Sequence, residues 1–294
     1  MTKQLTDNVR CLGNRHFNFF IVGQKEAALI ECGVTGAVVN FYQQWQSAVL
    51  QPEIRYLIAM HAHFDHVCGI PALRKMFPTA AVAASPHAQK VMGKPTVMEN
   101  FFAQDEQMVQ VLMKEGFLPE PVRVPPAQTI IVDYLLEDGD TLYLRTGIKL
   151  EIIAAPGHSP CSLAAYLPAD KVMFLSDAAG FQISDTEIFP IFFQGYELYV
   201  ETIKRLMGYP TNVLGIAHER IWTGNDIEIF YKRALEAAQN AFKEIREMTE
   251  AGLQEAEMKD RLFNRYYQGN LRIYTPENIH TCIDLLIKRV QECL

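Results

Sequence analysis

An α/β fold with a helical C-terminal extension is what this chain predicts, on three observations. Short apolar runs bounded by turn residues alternate with helix-like stretches over residues 1–225. Four of those runs deliver histidine or aspartate at their C-terminal ends. Residues 226–294 carry helical periodicity alone. At 294 residues and 49% hydrophobic, the chain can bury a large core as one domain or as one domain with an appendage.

The opening residues read as short strands: Phe17–Val22, a turn at Gly23-Gln24, then Ala27–Ile30. Gly33 and Gly36 precede a helical pattern over Val38–Leu50, which Pro52 ends. Tyr56–Met60 is an apolar run with the composition of a buried strand. Ile70–Phe77 reads as the first turns of a helix with Pro71 near its start, and Ala80–Ala84 as a short strand. Ser85 is an N-cap followed by Pro86, which puts His87 on a helix face and away from any cluster. Residues 96–116 form the clearest helix of this half. Thr96 and Glu99 make a capping box there, and Gly116 is the expected stop. Pro119, Pro121, Pro125 and Pro126 follow, so residues 94–128 read as a helical insertion between sheet elements. Phe101 and Phe102 on that helix either cover a site as a lid or pack on the sheet.

Leu150–Ala155, Lys171–Ser176 and Val213–Ala217 are three further strand-like runs. His158 follows the first after Pro156-Gly157, and Asp177 and His218 directly follow the other two. An aromatic stretch comes after Asp177, with Phe181, Phe189, Phe192, Phe193, Tyr196 and Tyr199. In the tail, Asn225 or Asp226 caps a helix to about Gly252, a second covers about Glu255–Tyr267, and a third starts at Thr275-Pro276. Ile279, Ile283, Leu286 and Val290 line one face of that last helix.

A net charge of −7 and a pI near 5.7 argue against a nucleic-acid surface built on global charge. Six cysteines (Cys11, Cys32, Cys68, Cys161, Cys282 and Cys293) are scattered without a CxxC pair, the pattern of free thiols in a reducing compartment. The first thirty residues lack the basic start and apolar core of a signal peptide, and no apolar run reaches the length of a membrane span. A cytoplasmic protein without a membrane partner is expected.

Chemistry concentrates at residues 61–69, His-Ala-His-Phe-Asp-His-Val-Cys-Gly. Three of the eight histidines and one aspartate fall within six positions there. Packing gives no reason for that composition, because each buried imidazole or carboxylate needs its own hydrogen-bond partner. Imidazole nitrogens and carboxylate oxygens are the donors that zinc, iron or manganese takes. His61 and His63 are two apart and point the same way from an extended segment. Asp65 and His66 follow at a turn, where they can face a second ion.

With His158 in Pro-Gly-His-Ser, Asp177 in Ser-Asp-Ala and His218 added to the HxHxDH of residues 61–66, the chain resembles the metallo-β-lactamase superfamily. The resemblance runs from about residue 15 to about residue 225. It implies a four-layer αββα sandwich, a catalytic domain over residues 1–225 with the site at one edge of two facing sheets. It also implies His61, His63 and His158 around a first metal and Asp65, His66 and His218 around a second, with Asp177 bridging. Position 63 is His where the oxygen-reducing diiron flavoproteins of this fold have Glu, and no flavin-binding domain follows. Met60 stands where many relatives have Thr, and the last histidine sits in Ala-His-Glu-Arg, where a Gly often precedes it. These departures leave the ligand set complete. Helical C-terminal additions also mark the glyoxalase II group and the quinolone-signal thioesterase. That likeness points to the thioesterase–lactonase branch, with a tail that shapes the substrate mouth or a homodimer interface.

The expected chemistry is hydrolysis. Two divalent ions, zinc first and iron or manganese as alternatives, share a bridging water, lower its pKa and polarise the bond it attacks. Asp65, bound through one oxygen, keeps the other to orient the nucleophile or take a proton. A small ester-like substrate, thioester or lactone, suits this chemistry, with Phe101, Phe102, Phe181, Phe192 and Tyr196 as candidate contacts. Two other readings share the ligands. One is a metal-retaining regulatory protein that works through its tail, the other an iron-dependent oxidoreductase of the same fold.

Overall fold

Several inner strands of the two sheets are buried on both faces, and that sets the architecture. The computed structural model describes residues 2–120, 122–123, 127–145 and 147–294. Strands β1 (Lys3–Gln4), β2 (Val9–Gly13), β3 (Asn18–Val22) and β4 (Glu26–Ile30) form an antiparallel meander. Helix α1 (Thr35–Gln46) crosses to β5 (Glu53–Ile58), and the short helices α2 (Phe64–Val67) and α3 (Ile70–Met76) lead to β6 (Ala81–Ala84). Helices α4 (Pro86–Met92) and α5 (Pro95–Lys114) precede β7 (Tyr134–Leu135). Strands β4 to β7 run parallel and complete a sheet in the order β1-β2-β3-β4-β5-β6-β7.

The second sheet begins with β8 (Thr141–Tyr143), β9 (Lys149–Ala154), β10 (Leu163–Leu167) and β11 (Val172–Phe174). A small hairpin, β12 (Phe181–Gln182) with β13 (Ile188–Phe189), and helix α6 (Tyr196–Met207) intervene before β14 (Val213–Gly215) and β15 (Trp222–Thr223). The sheet order is β15-β14-β11-β10-β9-β8. Phe20, Val22, Ile30 and Ile58 of the first sheet share one core with Leu150, Ile152, Leu163 and Phe174 of the second. The Phe20 and Phe174 rings lie 5.1 Å apart within it. Alternate residues on the same strands, among them Phe19, Ile21, Leu29, Leu57 and Met173, join a second core shared with the helices. Burial on both faces explains why these runs read as continuous apolar stretches. Each large side chain so buried contributes about 1.5–3 kcal/mol. The result is an α/β sandwich of two sheets with helices outside them and at the C-terminus.

The tail consists of α7 (Asp226–Glu250), α8 (Glu255–Tyr266), a 3-10 turn over Gly269–Ile273 and α9 (Pro276–Gln291). It packs back on the sandwich: α7 lies on α6 and β15, and the 3-10 turn touches α5 and β12. Ile279, Ile283, Leu286 and Val290 are buried along one face of α9, and Thr275 caps that helix through the Asn278 N–H (3.3 Å). Ser85 caps α4 in the same way, and His87 is exposed on it.

Two expected caps do not form, the first at Asn225, which precedes α7 but makes no side-chain cap bond. Helix α5 starts at Pro95 with Lys94 as its N-cap and no side-chain cap, so Thr96 lies inside the first turn and no capping box forms. Proline, with its fixed φ and no N–H to leave unpaired, starts the helix instead. Its end is as expected: Gly116 takes φ 78°, and the Phe117 N–H reaches the Leu112 carbonyl at 2.9 Å. Pro121, Pro125 and Pro126 of the anticipated loop lie outside the described residues. Among the described residues, no helix is long and apolar enough to cross a membrane, and the six cysteines are unpaired.

Candidate metal centre

Four strand ends bring seven side chains to one place. Beyond β5 the chain bends through Met60 and His61 to His63, and Asp65 and His66 follow within α2. His158 stands in the loop after β9, Asp177 after β11 and His218 after β14. The His158 loop passes so close to the start of α6 that a Cβ on Gly157 would lie 2.4 Å from the Tyr199 nitrogen. Only glycine fits there, at φ 119°. Three non-glycine residues with left-handed backbone flank the cluster: Glu31 (φ 70°), Ser176 (φ 51°) and Glu219 (φ 61°). Such conformations cost energy and gather at functional sites.

His61 Nε2, His63 Nδ1 and His158 Nε2 stand 3.0–3.2 Å apart as a triangle. Asp177 Oδ2 lies 3.7 Å from the His61 corner and 3.6 Å from the His158 corner. Ligands about 2.0–2.1 Å from a four-coordinate zinc are separated by about 3.3 Å, so the spacing is that of a coordination shell. The far nitrogens of two of these rings have outer partners. His158 Nδ1 donates to the Ile191 carbonyl (2.9 Å), and His61 Nδ1 faces Ser176 Oγ (3.3 Å). His158 Nε2 therefore turns a lone pair toward two other imidazoles at close range, an arrangement that a shared cation relieves.

Asp65, His66 and His218 form a second group beside the first. His218 Nε2 is 3.3 Å from His66 Nε2 and 3.6 Å from Asp65 Oδ2. Asp177 reaches this group too, with Oδ1 3.6 Å from His218 Nε2 and Oδ2 3.4 Å from His66 Nε2. Outer contacts again set the rings: His218 Nδ1 donates to the His16 carbonyl (2.8 Å), and His66 Nδ1 meets Glu31 Oε2 at 2.7 Å.

The electrostatics of the two groups differ. Burial first, then the neighbouring imidazoles, holds His61 well below its ordinary range and His63 down at about 3. Burial likewise lowers His158, against the pull of Asp177. These three are neutral, the form in which imidazole binds a metal. Burial alone would lower His66 as well, but the carboxylates of Glu31, Asp177 and Asp65 outweigh it and push that imidazole well up. The field around His66 is thus strongly negative, a place for positive charge. The donor set suits divalent metal.

The family profile described as the metallo-beta-lactamase superfamily matches residues 13–218. This chain belongs to that superfamily. A curated relative is the metallo-beta-lactamase fold-containing protein ST1585 of Sulfurisphaera tokodaii, 19% identical over 74% of this chain and 77% of its own. The crystal structure of ST1585 superposes with a TM-score of 0.54 over 76% of this chain and 80% of that one. A sec-alkylsulfatase from Pseudomonas sp. is similar in fold over 98% of this superfamily member, tail included, at 16% identity and a TM-score of 0.65, and over 50% of its own length. The rubredoxin oxygen:oxidoreductase of Desulfovibrio gigas matches over 81% of this chain and 62% of its own, at 16% identity and a TM-score of 0.56. A sulfatase and an oxidoreductase therefore share this fold.

A cavity of about 430 Å³ opens onto the cluster, with His63, Asp65, His158 and Asp177 in its floor. Its walls come from α5, from the segment after Asp177, and from the tail. Phe101 and Phe181 line it. The remaining three aromatic candidates do not: Phe102 turns into the core at 5% exposure, Phe192 is fully buried against Tyr196 and Tyr199, and Tyr196 stacks on Phe242 of α7 at 4.1 Å. Adjacent residues on a helix point about 100° apart, so Phe101 and Phe102 could not both face the cavity.

Two residues that sequence reasoning passed over stand at the site. Glu31 follows β4 as the ligands follow their strands, so the signal of an acidic residue at a strand end was available there. Tyr274 donates its hydroxyl to Asp65 Oδ2 at 2.6 Å from the far end of the chain. Burial and the Asp65 and Asp177 carboxylates push that phenol well up, so it remains a donor. No local pattern around Tyr274 announces it.

Proposed function

We propose that this protein is a metal-dependent hydrolase of a small, uncharged ester-like substrate, a thioester or lactone with an apolar acyl portion. His61, His63, His158 and Asp177 would hold one divalent ion, and Asp65, His66, His218 and Asp177 a second. The observation that carries the proposal is the cavity over the cluster. Phe101, Met108, Val111, Ile191, Phe193 and Ile279 give it hydrocarbon walls, and its described lining residues include no Lys or Arg. A sulfate, phosphate or coenzyme tail calls for such cations, whereas a carbonyl flanked by hydrocarbon is held by a dry wall and a few polar groups.

Divalent ions in the cluster supply Lewis acidity and a water acidified towards neutral pH. The protein does the rest. Asp177 faces both halves, with Oδ2 between His61, His158 and His66 and Oδ1 toward His218, and so would bridge the two ions. Asp65 commits Oδ2 to the second half, and its other oxygen is assigned to orient the attacking water or take its proton. Phe101 and Phe181 exclude bulk water from the acyl portion, which strengthens every interaction below them.

The test is a substrate panel of acyl thioesters, lactones and a secondary sulfate ester, run with protein reconstituted with zinc, manganese or iron. Turnover of uncharged esters is expected to exceed that of the sulfate ester and to disappear in Asp65→Ala. Activity no higher than that of Asp65→Ala across the whole panel would overturn the proposal and favour a regulatory role.

A further inference from the structure

The side chain of Asp65 receives one hydrogen bond among the described residues, and the tail supplies it. His66 Nε2 and His218 Nε2 stand 3.7 and 3.6 Å from Oδ2, too far for hydrogen bonds. The Tyr274 hydroxyl lies 2.6 Å from the same oxygen, across 209 residues of sequence. Asp65 sits on α2, a four-residue helix, and faces a second carboxylate, Asp177, across the cluster.

Tyr274 lines the cavity and is held from behind by its neighbours. Its ring lies 6.3 Å from Phe64, 5.5 Å from Phe181 and 6.5 Å from His218 by centroid. Its carbonyl accepts from the Tyr267 hydroxyl at 3.0 Å. Thr275, the next residue, caps α9, so the start of that helix fixes where Tyr274 stands. The contrast with the first half is direct, because Ile191 and Ser176, the outer partners of His158 and His61, both belong to the sandwich.

We propose that Tyr274 is a positioning residue: its hydroxyl locks the Asp65 carboxylate towards the second cation, so that the C-terminal extension controls how tightly that cation is held. The inference rests on the dinuclear reading above. It goes beyond that reading by making one half of the centre depend on a residue outside the region that matches the family.

The test is a zinc titration of the full-length, chelator-stripped protein in competition with a chromophoric chelator. Wild type should take two equivalents. Tyr274→Phe keeps the ring and loses the hydroxyl, and should retain the first equivalent while binding the second about 10–100-fold more weakly, the usual cost of removing a partner behind a ligand. Tyr231→Phe removes a buried tail hydroxyl on α7 that has no partner among the described residues, and should bind both equivalents as wild type does. In an Asp65→Ala background, which removes the acceptor, adding Tyr274→Phe should cause no further loss. That comparison also separates positioning from a general loss of folding. Wild-type affinity for both equivalents in Tyr274→Phe would overturn the inference, as would equal weakening of both. Uptake of fewer than two equivalents by wild type would instead overturn the dinuclear reading, and the role of Tyr274 with it.

Discussion

The two halves of the centre are built from different parts of the chain. The first, with His61, His63 and His158, lies among neutral imidazoles whose outer partners come from loops of the sandwich itself. The second, with Asp65, His66 and His218, lies in negative charge and draws support from Glu31 at the end of β4 and from Tyr274 in the tail. A site made wholly of sandwich loops folds with the sandwich. A site that also needs the tail is complete only once the tail has docked. The difference predicts a tight first site and a second whose occupancy responds to the C-terminal extension.

Removing the residue the halves share should have the largest effect. Asp177→Ala is expected to abolish hydrolysis and to leave at most one metal equivalent, measured by elemental analysis after dialysis. The histidines should then divide the halves. His158→Ala should lose the first equivalent, and His218→Ala should keep the first and lose the second, in the same chelator competition. Glu31→Gln keeps the shape but removes the charge behind His66, so the second equivalent should weaken about 10–100-fold while the first is unchanged.

Helix α5 repeats the contrast within one element, with Phe101 towards the cavity and Phe102 towards the core. Phe102→Ala should cost about 3–5 kcal/mol in denaturant unfolding. Phe101→Ala should cost far less and instead raise KM with kcat little changed, the signature of lost substrate binding.

Asp105 on the same helix gives the smallest effect and one that depends on pH. Its Oδ1 accepts the Thr35 N–H at 2.9 Å, its Oδ2 has no partner among the described residues, and burial pushes the carboxyl up from 3.8 to about 6. The folded protein therefore holds this proton more tightly than the unfolded chain does. The stability it contributes is whole below pH 3.8 and is lost as pH rises through about 6, an effect of at most about 3 kcal/mol. Asp105→Asn keeps the Thr35 contact without the charge, and should flatten the fall in stability across that window in melts taken at several pH values.

Much of this was legible in the sequence because the chemistry is local to strand ends. The HxHxDH run and the three later ligands each follow an apolar stretch, and the structure places all seven side chains in two adjoining groups. Strands β3 and β4 were readable because both their faces are buried, and β5 and β9 because their C-terminal halves are apolar. Strand β2 was not, since Arg10 interrupts it, and β10 hides behind the alanines of Leu-Ala-Ala-Tyr-Leu, which carry little strand signal. Contacts between distant segments were out of reach. Which of Phe101 and Phe102 faces the cavity depends on the rotation of α5, and Tyr274 meets Asp65 only because the tail folds back over the cluster.

The most direct measurement is a crystal structure of the zinc-loaded protein with anomalous data collected on both sides of the zinc edge. The account predicts two peaks bridged by Asp177, one ringed by His61, His63 and His158 and the other by Asp65, His66 and His218, with the Tyr274 hydroxyl still on Asp65. A single peak, or none, at full zinc loading would contradict it.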